Sequence, residues 1–364
     1  MAKKEKEGEE VDESIRVVSN LLKAKKEDHY NFEDTIYYKV PSSSLCMNSQ
    51  MDGGINPGAH RFIGTPSGGK SSAALDYMKN FLSLSKKGKF RGVFFDAESK
   101  LTPNMQKRSG IKFVRDEEEW ENGTCLIVDS NTFEFVFDVV RDLIVSNKEK
   151  CKYFFILDSL DMMAKRDDLK KPFEEAATVA SGPLLTSVFL KKVSIALTKR
   201  GHIALLISQV RDSIKINTYG PTATRQGSSN GGHAIEHAAG WVLDFLPRFQ
   251  DDIIREGGEK NGETLGHYAK CKIVKADNES YLREIRYPIC YGRSDGNSIW
   301  REKEILDILQ MWNYLIRAGA WYHIEPGLAA EIKAAGFPLD DKYQGIKNVN
   351  NWLVENPEVI DFLA

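Results

Sequence analysis

The sequence has 364 residues, of which 41% are hydrophobic and 28% charged, so it carries enough apolar side chains for one large core or two smaller ones. Its 50 basic and 52 acidic residues give a formal charge of -2, which excludes nucleic-acid binding through overall positive charge. Five cysteines without a C-x-x-C pair exclude a disulfide framework and a cysteine metal cluster, and they suit a reducing cytoplasm. We expect a cytoplasmic protein, since the N-terminus lacks the apolar stretch of a signal peptide and no apolar run is long enough for a membrane span.

Residues 1–40 are predicted to form an N-terminal segment with one helix, a linker and one strand. The first ten residues are mostly charged and offer no apolar surface for packing, so we expect them to be disordered. Apolar residues at helical spacing predict an amphipathic helix from residue 11 to about residue 26. Residues 35–40 are β-branched and aromatic, which predicts a strand that ends at Pro41.

Residues 41–293 are predicted to form an α/β core with a mostly parallel central sheet covered by helices on both faces. Short apolar runs typical of strands alternate here with longer helical patterns, such as residues 71–84 and 133–145. The candidate strands are residues 60–63, 92–96, 125–129, 152–158, 203–209, 240–245 and 268–275. Fewer helices separate the later runs, so we expect antiparallel additions there. Residues 294–364 are predicted to form a smaller, helical C-terminal region.

The first predicted strand of the core leads into residues 64–71, which read G-T-P-S-G-G-K-S and complete a Walker A phosphate loop. The pattern needs Gly64 and Gly69 for backbone conformations closed to other residues, Lys70 to reach the β- and γ-phosphates, and Ser71 to hold Mg²⁺. A glycine-rich turn without a ligand is the alternative, but the full pattern between a strand and a helix favours ATP with Mg²⁺. The expected nucleotide contacts are Gly64, Thr65, Pro66, Ser67, Gly68, Gly69, Lys70, Ser71 and Ser72.

Carboxylates end two of the predicted strands. Asp158 follows an apolar strand, as in a Walker B motif, and would hold the Mg²⁺ shell through water. A buried strand can also end in aspartate for no functional reason, but the upstream Walker A loop favours the metal role. Hydrolysis also needs a group that orients the attacking water and takes its proton. Asp96 and Glu98 are both placed to do this, and their spacing alone does not choose between them.

The strand at residues 203–209 ends in a neutral amide and is followed by a long polar stretch, residues 210–232. Gln209 could contact a γ-phosphate, or it could only face water at the strand end. A long stretch without predicted structure inside a compact domain is usually functional or disordered. Between Asp161 and Asn230 there are eleven basic and six acidic residues. This local excess is what binding to a nucleic-acid backbone requires, although a solvated basic face would have the same composition.

The order of these motifs resembles that of the RecA-type recombinases. The Walker A loop is followed by F-F-D-A-E, by F-I-L-D-S and by L-I-S-Q before a long loop and G-G-H-A. Residues 52–58 (D-G-G-I-N-P-G) and the pair Trp321 and Tyr322 are similar to the phage UvsX-like branch of this family. The resemblance spans residues 35–325 and implies a RecA-type P-loop NTPase core, with a short N-terminal segment for oligomerisation and a small C-terminal region.

The resemblance also implies a function: a DNA-dependent ATPase that forms filaments on single-stranded DNA and exchanges strands with a homologous duplex. Glu98 would activate the attacking water, with Lys70 as the other catalytic group at the phosphates. Gln209 would couple the γ-phosphate to a second DNA-binding loop at residues 210–232, and the first such loop would span residues 163–177. The implied DNA contacts are Lys165, Arg166, Lys170, Lys171, Arg211, Lys215, Arg225, Gly231 and Gly232.

The implied partners are DNA and further copies of the chain, with no membrane. The strand at residues 35–40 and the helix before it would dock on the neighbouring protomer, and single-strand-binding and loading proteins are further candidate partners. Lys275 would reach the phosphates from the neighbour, but Asp277 replaces the second basic residue of the relatives, so Lys272 or Arg283 could substitute. Met105 stands where many relatives stack an aromatic ring on adenine.

Two other interpretations use the same motifs. A ring helicase or related motor shares the core but needs an arginine finger from a neighbour, which we cannot assign in this sequence. A non-catalytic, nucleotide-dependent assembly factor would not need the complete set of Lys70, Ser71, Asp158 and Glu98. We therefore favour the recombinase.

Overall fold

The computed structural model describes residues 12–172, 181–209, 232–256 and 262–363. Its helices are α1 (Glu13–Ala24), α2 (Leu45–Gln50), α3 (Lys70–Ser83), α4 (Pro103–Ser109), α5 (Phe133–Val145), α6 (Arg166–Lys170), α7 (Ser181–Arg200), α8 (Gly232–Ala238), α9 (Arg301–Met311), α10 (Pro326–Ala334), α11 (Ile346–Glu355) and α12 (Pro357–Leu363). Its strands are β1 (Gly58–Gly64), β2 (Phe90–Asp96), β3 (Phe113–Val114), β4 (Cys125–Val128), β5 (Lys152–Asp158), β6 (Ile203–Ile207), β7 (Ala239–Phe245), β8 (Ile253–Arg255), β9 (Thr264–Lys275), β10 (Glu284–Cys290), β11 (Leu315–Ala318), β12 (Trp321–Ile324) and β13 (Tyr343–Gln344).

The central sheet is parallel over most of its width. Its strand order is β10-β9-β7-β1-β6-β5-β2-β4-β3, and β8 also pairs with β9. Strands β7 to β3 along this path are parallel, whereas β8, β9 and β10 pair in antiparallel fashion. In the register of β2 and β5, Asp96 lies opposite Asp158, so the two acids end their strands at the same edge. Ligands of open α/β sheets bind at this carboxyl edge.

Helices cover both faces of the sheet, which explains why β6 and most of β5 are continuously apolar. Helix α3 packs on one face, where Phe81 meets Phe154 of β5 with ring centroids 5.3 Å apart. Helices α5 and α7 pack on the other face, where Phe137 and Phe189 stack at 4.1 Å. The predicted α/β class with a mostly parallel sheet is confirmed. The expected antiparallel additions occur at β9 and β10, but β7 is parallel to β1.

The N-terminal segment differs in part from its prediction. Helix α1 forms as predicted, and its N-terminus is capped by the Asp12 carboxylate, which accepts a hydrogen bond from the Ser14 backbone N–H at 2.8 Å. The predicted strand at residues 35–40 is wrong, since only Val40 pairs there, in an isolated bridge with Ile55. The segment lies along the end of α7 instead, where Ile36 N–H donates to the Lys199 carbonyl at 3.1 Å. Beyond the Val40 bridge it therefore pairs with no strand among the residues that the structure describes.

The C-terminal region is less helical than predicted, because a small antiparallel sheet of β11, β12 and β13 joins its helices. It has its own core, which includes Ile305, Leu309, Ile332 and Trp352. Glu304 of α9 attaches this region to α2, as described below. In the described part of the chain no helix has both the length and the apolar character that a membrane crossing requires.

Candidate nucleotide-binding site

The phosphate loop joins β1 to α3 and depends on its glycines. Gly64 has φ +140° and lies so close to Phe245 that an added Cβ would be 2.2 Å from its carbonyl oxygen. Gly69, with φ +102°, precedes α3, which begins at Lys70, one residue before the predicted start. Both positions have conformations that residues with a side chain rarely adopt. The loop backbone therefore has the curvature that the Walker A pattern predicts.

Lys70 is buried and folds back over the loop. Its ammonium donates to the carbonyls of Gly64 at 2.9 Å and Thr65 at 2.8 Å. Burial lowers its pKa, while the negative charges of Asp158 and Glu98 act in the opposite direction. The Thr65 hydroxyl is buried with no hydrogen-bond partner among the described residues. A phosphate at the loop would suit Lys70, which presents a cation on the wall of the cavity.

Ser71 and Asp158 meet at the edge of the sheet. The Ser71 hydroxyl donates to Asp158 Oδ2 at 2.5 Å. Burial raises the pKa of Asp158 to about 6, helped by the charges of Glu98 and Asp96 and opposed by the Ser71 hydrogen bond and by Lys70. Mg²⁺ takes few protein oxygens and completes its shell with water and phosphate. One hydroxyl and one carboxylate beside a phosphate loop therefore fit Mg²⁺.

Glu98 projects into the same cavity and is held from three sides. Its Oε1 accepts hydrogen bonds from the Ser159 hydroxyl and from Gln209 Nε2, the latter at 3.2 Å. Its Oε2 pairs with Lys100. Burial raises the pKa of Glu98, but the hydrogen bonds from Lys100, Ser159 and Gln209 outweigh burial and leave the pKa below its ordinary value. Glu98 is therefore an ionised carboxylate aimed at the phosphate loop.

Asp96 has a different environment. Its carboxylate accepts the backbone N–H of Lys100 at 3.1 Å and that of Leu101 at 2.9 Å, and it is buried outside the cavity. It therefore closes the turn after β2 and does not face the phosphate loop. Of the two acids that the sequence left open, the geometry gives only Glu98 access to a nucleotide.

One cavity of about 760 Å³ is lined by Lys70, Ser71, Glu98 and Asp158. Met105, a predicted base contact, lies on its wall, and so does Gln209. The sequence analysis missed residues that also line it from α4, β9 and the ends of strands: Arg108, Arg248, His267 and Tyr291. No local pattern marks them, because the pairing of β9 with β7 and β10 and the packing of α4 bring them to the cavity.

The other predicted site residues lie elsewhere or outside the described residues. Helix α6 begins at Arg166 and ends at Lys170, where a loop was expected, and Lys165 precedes this helix. Lys171 follows it and pairs with Asp168 at 3.0 Å. Arg211, Lys215, Arg225 and Gly231 lie outside the described residues, and Gly232 is the first residue of α8.

Lys275 lies away from the phosphate loop of its own chain. Its ammonium donates to the carbonyls of Glu236 at 2.7 Å and His237 at 2.9 Å, at the end of α8. Neither Lys275 nor Lys272 lines the cavity, and Arg283 donates to the Gln50 side chain at 2.9 Å. A contact between these residues and phosphate therefore requires a second protomer.

Comparison with known proteins assigns residues 30–295 to the RecA N-terminal domain. The curated relatives include Protein RecA of Acidothermus cellulolyticus, 24% identical over 88% of this chain and 81% of the relative. Protein RecA of Mycobacterium marinum is 25% identical over 88% of this chain and 80% of the relative. Protein RecA of Aquifex aeolicus is 26% identical over 88% of this chain and 81% of the relative. The similarity thus extends beyond the phosphate loop to most of both chains.

Proposed function

The chain belongs to the RecA N-terminal domain family, and from this premise we propose how it works as an ATP-dependent recombinase with DNA-dependent ATPase activity. Its substrates are ATP, single-stranded DNA and a homologous duplex, and it acts as a filament of many copies. The observation that carries the proposal is the contact of Gln209 with Glu98 at 3.2 Å. This contact joins the hydrolytic site directly to the residue that begins the predicted second DNA-binding loop.

Hydrolysis is proposed to use four groups on three strand ends. Lys70 holds the β- and γ-phosphates, and Ser71 with Asp158 holds Mg²⁺, which neutralises charge that develops on the phosphoryl oxygens. Glu98 orients the attacking water and takes its proton, for which its lowered pKa keeps it ionised. Asp96 only shapes the turn that carries Glu98.

Gln209 is proposed to report the state of the nucleotide. Its amide N–H donates to Glu98, and a γ-phosphate at the loop would compete for the same donor. Release of this bond would move the start of residues 210–231 and so order them on DNA, a switch that many phosphate-loop proteins use. Hydrolysis would restore the bond and release the DNA.

DNA is proposed to bind along residues 163–177 and 210–232. Arg166, Lys170 and Lys171 are exposed beyond the carboxyl end of β5. Contacts to the phosphate backbone give affinity without base readout, so binding should fall steeply with salt and show weak sequence preference. The bases of a single strand then remain free to pair.

Assembly is proposed to use α1, most of whose apolar side chains are exposed in the described part of the chain. Ile15, Val18 and Leu21 are each more than half exposed. A groove of about 550 Å³ lies beside α5 and contains Phe135 and Leu143 together with Asp138 and Asp142. Its apolar side chains suit the apolar face of α1 from a neighbouring copy, while Arg16 and Lys23 lie on the other side of that helix.

Within the family we propose the UvsX-like phage branch. The support is the segment at residues 52–58 and the pair Trp321 and Tyr322, while Gln209 is nearer to the bacterial members. In such a filament Lys275 of one copy would face the phosphates of the next, and single-strand-binding and loading proteins would assist its assembly on DNA. Asp277 beside it leaves the second basic contact to Lys272 or Arg283.

The test is turnover of ATP with and without single-stranded DNA, combined with electron microscopy in a slowly hydrolysed ATP analogue. We expect helical filaments and DNA-stimulated hydrolysis. Glu98→Gln should keep ATP and DNA binding and lose turnover by roughly 100-fold or more, as removal of a general base does. The exposed Glu149→Gln serves as the control.

Other outcomes identify the alternatives. Closed rings that unwind duplexes would indicate a helicase, and nucleotide-dependent assembly without turnover would indicate an assembly factor. Unchanged turnover in Glu98→Gln would remove Glu98 from its proposed role.

A further inference from the structure

An arginine is buried in the central strand that leads to the phosphate loop. Arg61 of β1 is 1% exposed. Removing a charged group from water is costly unless polar partners and opposite charges surround it. Its Nε and Nη2 donate to the Ser208 hydroxyl at 3.3 and 3.2 Å, and its Nη1 lies 3.9 Å from Glu236 Oε1. The Arg61 guanidinium is therefore bonded to groups on two other elements.

These groups stand on both sides of one segment of the chain. Ser208 and Gln209 come directly before residues 210–231, and Glu236 is in α8, which follows them. Arg61 thus connects the beginning and the end of the predicted second DNA-binding loop. Phosphate contacts and nucleotide chemistry do not involve it, since it does not line the nucleotide cavity.

A third element joins the same network. Asp161 lies in the turn after β5, and its negative charge acts on Arg61 together with that of Glu236. Asp161 Oδ2 also accepts the backbone N–H of Gln209 at 2.5 Å. The Gln209 side chain donates to Glu98, and Ser208, which precedes Gln209 in the chain, accepts from Arg61, so these two neighbouring residues connect Glu98 with Arg61.

We propose that Arg61 is a positioning residue that couples the two DNA-binding segments to Glu98. It fixes Ser208, Asp161 and Glu236 around one charge, so displacement of either segment by DNA changes the position of Gln209. The inference rests on the proposed function, because it assigns residues 163–177 and 210–232 to DNA binding. If the ion pairs of Arg61 only stabilise the fold, substitution of Arg61 should lower the stability of the protein without a specific change in the DNA stimulation of ATP turnover.

The test compares Arg61→Gln and Arg61→Lys with the wild-type chain. The readouts are the ratio of ATP turnover with and without single-stranded DNA, the affinity for a fluorescent ATP analogue, and Tm. We expect Arg61→Gln to lose about tenfold in the stimulation ratio, within the usual range of coupling between sites, with unchanged nucleotide affinity. Arg61→Lys should recover much of this ratio because it retains the charge, although it cannot reproduce both bonds to Ser208.

A control on the same strand separates coupling from stability. His60 is buried next to Arg61 but on the opposite face, where it accepts from the Trp241 backbone N–H at 3.2 Å. His60→Gln should lower Tm and leave the stimulation ratio unchanged. If it lowers the ratio as much as Arg61→Gln does, the effect is structural and the proposal is wrong.

A second variant tests the network if Arg61→Gln does not fold. Glu236 is half exposed, so Glu236→Gln should fold and reduce the ratio by less than Arg61→Gln. The double variant with Glu236→Gln and Arg61→Lys should reduce the stimulation ratio by less than the sum of the two single reductions, as expected for residues in one network. A normal ratio in a folded Arg61→Gln, or in Glu236→Gln where Arg61→Gln does not fold, contradicts the proposal. Wild-type turnover that does not respond to DNA contradicts the proposed function itself, and the role of Arg61 falls with it.

Discussion

Glu98, the proposed base, is kept ionised mainly by a cation two residues away. Lys100 pairs with its Oε2, and Ser159 and Gln209 donate to its Oε1. Burial acts against these bonds and disfavours the charged form. The ionisation of the carboxylate is therefore a balance between burial and these bonds, and Lys100, which also lines the cavity, contributes the largest of the bonds that lower the pKa.

Lys100→Met is expected to shift the pH dependence of hydrolysis. Lys100 stabilises the carboxylate, so its loss raises the pKa of Glu98 while burial continues to raise it as well. Since Glu98 acts as a base only when ionised, the acidic limb of the pH profile of kcat should move to higher pH, with a small effect in the alkaline plateau. The measurement is DNA-stimulated turnover at saturating ATP across the acidic and neutral range.

The matched control is Lys112→Met. Lys112 also pairs with a glutamate, Glu121, but on the surface and away from the cavity. It should leave the profile unchanged. An acidic limb that stays in place in Lys100→Met would show that Lys100 does not control the ionisation of the base.

Residue roles could be predicted where the local pattern alone dictates them. Gly64, Gly69 and Lys70 occupy positions that the eight-residue pattern defines through backbone conformation and reach. Asp96 and Glu98 could not be distinguished, because the choice depends on where β2 ends and on which groups meet each carboxylate. Tyr291 was missed because it reaches the cavity through pairing of β10 with β9, which no local pattern encodes.

The element that attaches the C-terminal region is α9, through one buried carboxylate. Glu304 is 1% exposed and accepts the Ser44 hydroxyl at 2.6 Å and the backbone N–H groups of Cys46 at 3.0 Å and Leu45 at 3.1 Å. These N–H groups belong to the first turn of α2, whose donors lack partners within the helix. Glu304 therefore caps α2 from another part of the chain.

Glu304→Gln is expected to destabilise the protein. The amide keeps one acceptor but loses the charge and turns a donor toward groups that are themselves donors, at a cost of about 1–3 kcal/mol. Urea unfolding should show a lower free energy of unfolding, and affinity for ATP in the folded state should not change. The exposed Glu331→Gln on α10 is the control. Equal stability of the two variants would mean that Glu304 contributes no more than a surface acid.

Elements were predictable in proportion to their burial within the chain. Strand β5 has its predicted bounds because its apolar run pairs on both sides and is covered on both faces. Residues 35–40 have equally strong β propensity, yet they form no strand. Propensity of this kind expresses fit to a neighbouring strand as well as to a covered face, and among the described residues this segment has the covered face, through Tyr38 and Val40, without a partner strand.

The whole molecule combines a near-neutral charge with a concentrated basic region, so its DNA affinity is a local property. Its three predicted regions also depend on contacts that sequence patterns do not contain. Residues 294–364 were predicted from composition alone, whereas their small sheet and the Glu304 cap arise from pairing of distant residues. The proposed assembly depends on still more distant contacts, since it needs surfaces on two copies of the chain.

Leu21→Asp is expected to prevent filament assembly without unfolding the chain. Leu21 is 55% exposed in α1, so a carboxylate costs little in the single chain. Against the apolar side chains of the groove it would lose its hydration, and it would stand beside the carboxylates of Asp138 and Asp142. With single-stranded DNA and a slowly hydrolysed ATP analogue, light scattering should show small species, and Tm should match the wild type.

The reciprocal variant identifies the receiving surface. Phe135→Asp should give the same loss of assembly, because it places a charge on the other side of the same contact and adds to the negative rim of Asp138 and Asp142. Val354→Asp, an exposed apolar position on α11, should assemble normally. Loss of assembly by Leu21→Asp alone would assign α1 to an interface that does not involve α5. Normal filaments in both variants would remove α1 and its groove from the assembly, because neither apolar surface would then be buried between copies.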